Sequence, residues 1–90
     1  NSAYLAVVLI KYTIYPKIME IDEIYRKIGN NIKKYRLYAG LTQEQLSEKI
    51  NANQKFIGHV ERVERYIGLK KIIKISEILG VPLKKFFDFD

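Results

Sequence analysis

The stretch Thr42–Arg62, TQEQLSEKINANQKFIGHVER, constrains the fold of this chain more than any other. Its apolar residues fall at helical spacing in two short runs. These predict one helix over Gln43 to about Ile50 and a second over Gln54 to about Arg62. Asn51 lies at the junction, where Asn tolerates a left-handed backbone better than most residues. We therefore expect a tight helical pair, with the small Ser47 where the two helices cross.

The residues around these helices predict how each begins. Thr42 and Gln45, three residues apart, form a capping-box pattern for the first helix. Asn53 can cap the second through its side-chain oxygen. The exposed face of the second helix then carries hydrogen-bonding and basic side chains without a carboxylate: Gln54, Lys55, Gly58, His59 and Arg62. That composition suits a helix that enters the major groove of DNA.

Amphipathic helices are predicted on both sides of the pair. Asp22 can cap a helix that runs to about Ala39, where Gly40 ends it. Its apolar stripe is Ile24, Ile28, Ile32 and Tyr35. After a linker over Val63–Gly68, another helix is predicted over Leu69–Leu79. Its inward-facing residues are Leu69, Ile72, Ile73, Ser76 and Leu79. Pro82 suits the start of a last short helix over Leu83–Phe87.

The composition limits the chemistry that this chain can perform. Ninety residues form one small domain with a modest core. The chain has no cysteine, so it can build neither a disulfide framework nor a thiolate metal site, and its one histidine cannot build a zinc site alone. No catalytic triad, paired carboxylate site or phosphate-cradling glycine loop is visible. We therefore predict a protein that is not an enzyme, with no catalytic residue, no metal and no cofactor.

The charge balance indicates the partners that the surface attracts. A net charge of +6 and a pI near 9.6 favour nucleic acid or an anionic membrane, without choosing between them. A lysine-rich domain with no such partner fits the charge equally well. No run approaches the roughly 20 apolar residues that span a bilayer. The longest, Ala3–Ile10, lacks the flanks of a signal peptide. We expect a cytoplasmic protein with no membrane partner.

Residues 1–18 differ in composition from the rest of the chain. The run Tyr4–Tyr15 is aromatic and β-branched, which predicts a strand that Pro16 ends. A lone strand needs a partner, and the same strand of a second copy would be the nearest one. A helix over Ala3–Lys11 fits the pattern as well. We therefore divide the chain into an extension over 1–18, either foreign to the native protein or dimer-forming, and a domain over 19–90 that begins at Met19.

The segment Ile28–Phe87 resembles the helix-turn-helix DNA-binding domains of the Cro and phage-repressor family, also called XRE-type regulators. The matching segments are IGNNIKKYRLYAGLTQEQLSEKI, NQKFIGHVER and LKKIIKISEILGVPLKKFF, which together cover about two-thirds of the chain. TQEQLSEKI after Gly-Leu is the most specific of them. The resemblance implies an all-α, five-helix lambda-repressor-like domain, here preceded by the strand-like extension.

The resemblance also implies roles for individual residues. Three side chains would read base edges in the major groove: Gln54, Lys55 and His59. Four would contact DNA phosphates: Gln43, Asn53, Arg62 and Lys33. Gln43 would also approach the recognition helix. Arg36 and Glu61 match a pair that forms a structural salt bridge between the first and third helices of the family domain.

The sequence departs from the family pattern in two places. The family usually has Gly after the Glu-Arg pair and Pro a few residues later, where this chain has Val63 and Ile67. Because Val adopts a left-handed backbone only at a cost, we expect the turn to differ and the recognition helix to continue through Glu64. That places a carboxylate where the family commonly has Lys or Arg near the phosphates, which should weaken binding at that point. Gly58 costs on the order of 1 kcal/mol inside a helix. It either permits a close approach to DNA, which we favour, or marks a helix that binds DNA weakly.

Two functions follow from this pattern. The first is a sequence-specific transcriptional regulator that acts as a homodimer on a palindromic operator in double-stranded DNA. Small repressors of phages, mobile elements and restriction-modification loci are of this kind. The alternative is an antitoxin-type module that binds a toxin or another protein. The apolar Tyr4–Tyr15 segment favours that alternative, because antitoxins carry extra elements that dock on a partner.

Overall fold

The computed structural model of this chain describes residues 1–14 and 20–89. These residues form five α-helices and one 3-10 helix: α1 (Ser2–Ile14), α2 (Ile21–Tyr38), α3 (Gln43–Lys49), α4 (Phe56–Glu61), α5 (Leu69–Leu79) and the 3-10 helix (Leu83–Phe87). The predicted all-α fold is confirmed. The five helices expected for the domain are α2 to α5 and the 3-10 helix.

The prediction of a strand over Tyr4–Tyr15 is wrong, because Ser2–Ile14 form α1, which contains the alternative helix expected over Ala3–Lys11. Asn1 precedes this helix and caps its first turn. Its Oδ1 accepts a hydrogen bond from the Tyr4 N–H at 2.8 Å, and its carbonyl accepts one from the Leu5 N–H at 3.1 Å. A helix pairs its backbone groups internally, whereas a single strand leaves them unpaired. Tyr15, Pro16 and the predicted domain boundary between Ile18 and Met19 lie outside the described residues.

Most of the apolar side chains in the first ten residues face solvent. Tyr4, Leu5, Val7, Leu9 and Ile10 are between 50% and 68% exposed. Over residues 1–14 and 20–89, no helix combines the length and the apolar content needed to cross a bilayer.

One core holds α2 to α5 and the 3-10 helix together. The α2 stripe packs as predicted, with Ile28 and Ile32 buried and Ile24 and Tyr35 partly buried against them. The other buried apolar residues come from every element of the domain and from the loop before α5: Leu46, Ile50, Phe56, Ile57, Val60, Ile67, Ile72, Ile75 and Phe86. α4 packs against both α2 and α3, so its position is fixed by two neighbouring helices.

The start of α2 corrects another prediction. The helix begins at Ile21 after Glu20, which makes no side-chain cap, and Asp22 lies in the first turn instead of capping it. The Asp22 carboxylate accepts a hydrogen bond from the Tyr66 hydroxyl, and this bond raises the pKa of that phenol. The Tyr66 ring stacks on Tyr25, with the ring centroids 4.3 Å apart. The linker that precedes α5 is therefore tethered to the start of α2.

α5 has the predicted bounds but a different rotation about its axis. Gly80 ends it in a left-handed conformation, with φ of 65°. Ile72 and Ile75 are buried, whereas Leu69 and Ile73, both predicted to face inward, are exposed. Apolar residues occupy so many positions of α5 that several stripes fit the sequence, and only packing against α2 and the 3-10 helix selects one of them.

Candidate nucleic-acid interface

α3 begins at the predicted capping box. The Thr42 hydroxyl oxygen accepts from the Gln45 N–H at 3.0 Å, and the Gln45 side-chain oxygen accepts from the Thr42 N–H at 2.8 Å. Each bond satisfies a backbone donor that the helix itself leaves free. α3 therefore has a defined first residue, Gln43, whose side chain turns toward α4.

Ser47 joins α3 to α4 by hydrogen bonds as well as by its small size. Its hydroxyl donates to the Gln43 carbonyl at 2.8 Å and accepts from the Ile57 N–H at 3.0 Å. The residue is fully buried. Asn51 then reverses the chain with φ of 58°, as predicted for the turn. The sequence indicated the crossing point, but not the hydrogen bond that fixes the two helices to each other.

α4 begins at Phe56, two residues later than predicted. The Asn53 Oδ1 accepts from the Lys55 N–H at 2.9 Å, and the Asn53 carbonyl accepts from the Phe56 N–H at 2.9 Å. Asn53 therefore does not cap α4 as predicted but forms a turn that leads into the helix, and Lys55 occupies the N-cap position. Gln54 and Lys55 are exposed in this turn, directly before the N-terminus of α4. In helix-turn-helix complexes, the N-terminal end of the second helix of the pair contacts base edges.

The predicted structural pair forms the centre of a buried polar network. The Arg36 Nε and Nη2 donate to the two carboxylate oxygens of Glu61 at 2.8 Å and 3.0 Å. Arg36 Nη1 donates to the Leu41 carbonyl, and Gln43 Nε2 donates to Glu61 Oε1 at 2.9 Å. Over the described residues, every buried side-chain nitrogen and oxygen has a partner. Glu61 thus ties α4 to α2 and α3, which fixes how α4 is presented.

Gly58 is buried, although the pattern placed it on the exposed face. A Cβ atom at this position would lie 3.0 Å from Gln43 Oε1 and 3.1 Å from Arg62 Nη1. Its lack of a side chain therefore makes room for two side chains of the protein itself. Neither interpretation drawn from the sequence had considered this role.

The helix does not continue through Glu64, so that prediction is wrong. α4 ends at Glu61, and Val63 takes the left-handed conformation with φ of 60°. The Glu64 N–H donates to the His59 carbonyl at 2.8 Å, and the Val63 N–H donates to the Val60 carbonyl at 3.1 Å. These two bonds form a Schellman motif, in which Gly is the usual left-handed residue. Burial of Ile67 and the Tyr66 tether draw the linker toward the core, which offsets the cost of Val63.

Glu64 lies beside two of the predicted DNA contacts. Its Oε1 accepts from Arg62 Nε at 3.0 Å and lies 4.0 Å from His59 Nε2. The prediction of a carboxylate near the phosphate contacts rested on a longer α4. The structure instead places this carboxylate next to α4 through the turn at Val63.

The predicted contacts lie in the turn before α4, on or directly after α4, and on α2 and α3. Asn53, Gln54, Lys55 and Arg62 are exposed, and His59 is partly buried. Gln43 is also partly buried, with its amide engaged by Glu61. Lys33 is exposed on α2.

Two basic residues that the sequence did not single out lie at the start of α4. The Arg65 guanidinium carbon and the Lys71 ammonium lie 5.2 Å and 5.5 Å from the centroid of the Phe56 ring. Both are exposed. They belong to the linker and to α5, so only the fold brings them to the start of α4. Nothing in their sequence positions distinguishes them from the other lysines and arginines.

Comparison with known proteins agrees with this geometry. The family model described as Helix-turn-helix matches residues 32–86, more than half of the chain. Control protein C.SmaI of Serratia marcescens is 36% identical over 67 residues, which cover 74% of this chain and 76% of that protein. An uncharacterized HTH-type transcriptional regulator of Methanocaldococcus jannaschii is 31% identical over 61 residues, which cover 68% and 92%.

Two solved structures share the arrangement of helices. The restriction-modification controller protein C.AhdI from Aeromonas hydrophila superposes with a TM-score of 0.66 at 28% identity, over 70% of this chain and 96% of that one. A hypothetical transcription factor, NHTF, from Neisseria superposes with a TM-score of 0.69 over 79% of this chain and 82% of that one. At 22% identity, the second likeness shows a common fold.

Proposed function

This chain belongs to the helix-turn-helix family of XRE-type transcription regulators, and on that premise we propose that it binds a palindromic operator sequence-specifically as a homodimer. The observation that carries the proposal is the buried Arg36–Glu61–Gln43 network, which holds α4 with its polar start exposed. A rigidly presented helix can place side chains against base edges without reordering on binding.

The exposed start and the polar face of α4 would recognise the DNA sequence. Gln54 can pair bidentately with adenine, and Lys55 can donate to guanine. His59, one helical turn further along, adds a third contact in the groove. These three side chains would distinguish one operator from another, because base edges carry the sequence information.

Affinity and register come from phosphate contacts, which carry no sequence information. We assign them to Asn53, Arg62 and Lys33, and to Gln43, which approaches α4 from the start of α3. Arg65 and Lys71 add positive charge beside Phe56. The net charge of +6 favours association with DNA at a rate and affinity that fall with salt.

The homodimer is proposed because one recognition helix reads only a few base pairs. In helix-turn-helix dimers, two such helices lie roughly 34 Å apart, one turn of DNA. Leu69 and Ile73 are exposed one turn apart on α5, and together they offer an apolar surface for the second copy. The control and controller proteins among the relatives support an operator in a restriction-modification locus or another mobile gene cluster.

Selection of bound sequences from a random pool of DNA duplexes tests this proposal. We expect enrichment of a palindrome whose half-sites are one helical turn apart, and a sedimentation mass of two protomers per operator. Enrichment of single half-sites would contradict the homodimer. A pool that stays random at low salt would contradict sequence-specific binding.

The antitoxin-type alternative has one observation in its favour. Five apolar side chains of α1, from Tyr4 to Ile10, are exposed, which is the kind of surface that a partner protein covers. Purification of the untagged protein from its own cells distinguishes the two functions. A small second protein at equal stoichiometry would favour the alternative, whereas a protein that purifies alone and shifts operator DNA would favour the regulator.

A further inference from the structure

The residues that follow α4 place a carboxylate directly on a predicted phosphate contact. Glu64 Oε1 accepts a hydrogen bond from Arg62 Nε at 3.0 Å. The two side chains are 53% and 54% exposed, so the pair is accessible to DNA phosphates. A carboxylate and a phosphate bind a guanidinium in the same way, through charge-assisted hydrogen bonds.

We infer that Glu64 is an affinity-setting residue, which occupies Arg62 in the free protein as an internal competitor of DNA phosphate. The inference rests on the proposed DNA-binding function. For Arg62 to bind a phosphate oxygen through Nε, Glu64 must first release it. Part of the binding free energy of the new Arg62–phosphate contact therefore only offsets the loss of the Arg62–Glu64 contact.

The position of the guanidinium supports this inference. Arg62 Nη1 and Nη2 lie 3.1 Å and 3.5 Å from the point that a Cβ on Gly58 would occupy. The side chain is thus folded back over Gly58, whose lack of a Cβ leaves it room. Glu64 holds it there through Nε, on the side of the guanidinium next to the chain.

The backbone fixes the position of Glu64 as well. The left-handed Val63 turns the chain back, and the Glu64 N–H is bound to the His59 carbonyl at 2.8 Å. Its carboxylate also lies 4.0 Å from His59 Nε2. The carboxylate is therefore anchored at the end of the recognition helix, next to one predicted phosphate contact and one predicted base contact.

The test is a double-mutant cycle on DNA affinity, with the full chain as E64Q, R62A and the R62A/E64Q double variant. E64Q keeps the shape of the side chain and removes its charge. E23Q is the control, because it removes one negative charge from an exposed position in the first turn of α2. Kd is measured for the selected operator and for an unrelated duplex, at a salt concentration where all variants bind.

We expect E64Q to tighten binding by about 1.5- to 5-fold per protomer, the range set by the strength of exposed ion pairs. The increase should be similar on both duplexes, because phosphate contacts do not read sequence. In the R62A background, E64Q should have no effect beyond that of E23Q, since the competition acts through Arg62.

Two results would overturn the inference while leaving the proposed function intact. One is an E64Q affinity equal to that of E23Q. The other is an increase that persists undiminished with R62A, which would show that Glu64 repels phosphate directly. A wild-type protein that binds neither duplex at low salt would instead overturn the proposed function, together with this inference.

Discussion

The guanidinium of Arg36 binds both carboxylate oxygens of Glu61, at 2.8 Å and 3.0 Å, across the interface between α2 and α4. Both side chains are less than 8% exposed. Gln43 adds a third donor to the same carboxylate. The orientation of the recognition helix thus depends on a buried charge whose hydrogen bonds come from two other helices.

Removal of one partner of this pair should destabilise the domain strongly. We expect Arg36→Ala to lower the free energy of unfolding by about 3–5 kcal/mol, because Glu61 would remain buried without its counter-charge. Urea denaturation followed by far-UV circular dichroism measures the change. Arg26→Ala is the matched control, since Arg26 is exposed on the same helix. Its effect should stay within about 0.5 kcal/mol. Equal effects of the two substitutions would refute the structural role of the pair.

At the Val63 turn we expect the opposite effect, because a substitution there should stabilise the domain. A left-handed conformation costs an L-residue roughly 1–2 kcal/mol, and Gly removes that cost while it loses about 0.5–1 kcal/mol to the entropy of the unfolded chain. We expect Val63→Gly to raise the free energy of unfolding by about 0.5–1 kcal/mol, measured by the same denaturation.

Val81→Gly serves as the control for that change. Among the described residues other than glycine, only Asn51 and Val63 have positive φ, so Val81 carries no such strain. Its replacement by Gly should destabilise the domain. If both substitutions lowered stability by the same amount, the left-handed conformation of Val63 would not be costly in this protein.

Ser47 should matter for its hydroxyl. Ser47→Ala keeps the small volume at the crossing of α3 and α4, but leaves the buried Ile57 N–H without an acceptor. The expected loss in the free energy of unfolding is about 1–3 kcal/mol. A loss below about 0.5 kcal/mol would mean that size alone explains a small residue here.

Base contacts and phosphate contacts should respond differently to substitution. Lys55→Ala should alter the sequence selected from a random duplex pool and cost about 1–3 kcal/mol on the original operator. Arg62→Ala should weaken binding evenly across sequences and reduce the salt slope by about 1 per protomer. Binding affinities on operator and scrambled duplexes separate the two effects. A uniform loss for Lys55→Ala would remove that residue from the base contacts.

Local chemistry alone determined much of this domain. The capping box at Thr42, the left-handed Asn51 and the stop at Gly80 each act within a few residues, so the sequence predicts α3, its turn and α5 closely. The apolar stripe of α2 is equally local, because its period places Ile28 and Ile32 on one face. These features carried the resemblance to the helix-turn-helix family.

Where the local sequence was compatible with more than one structure, tertiary packing selected one of them. The rotation of α5 could be set only by packing, because apolar side chains occupy too many of its positions to define one face. Val63 accepts an unfavourable backbone because Ile67 and Tyr66, several residues away, gain burial and a hydrogen bond. Gly58 and Gln43 are brought together by α3 and α4, which no spacing along the chain encodes. Contacts between residues that are distant in sequence supply the free energy that selects among such local alternatives. Because these contacts form only when the chain folds, the sequence alone does not reveal which alternative is selected.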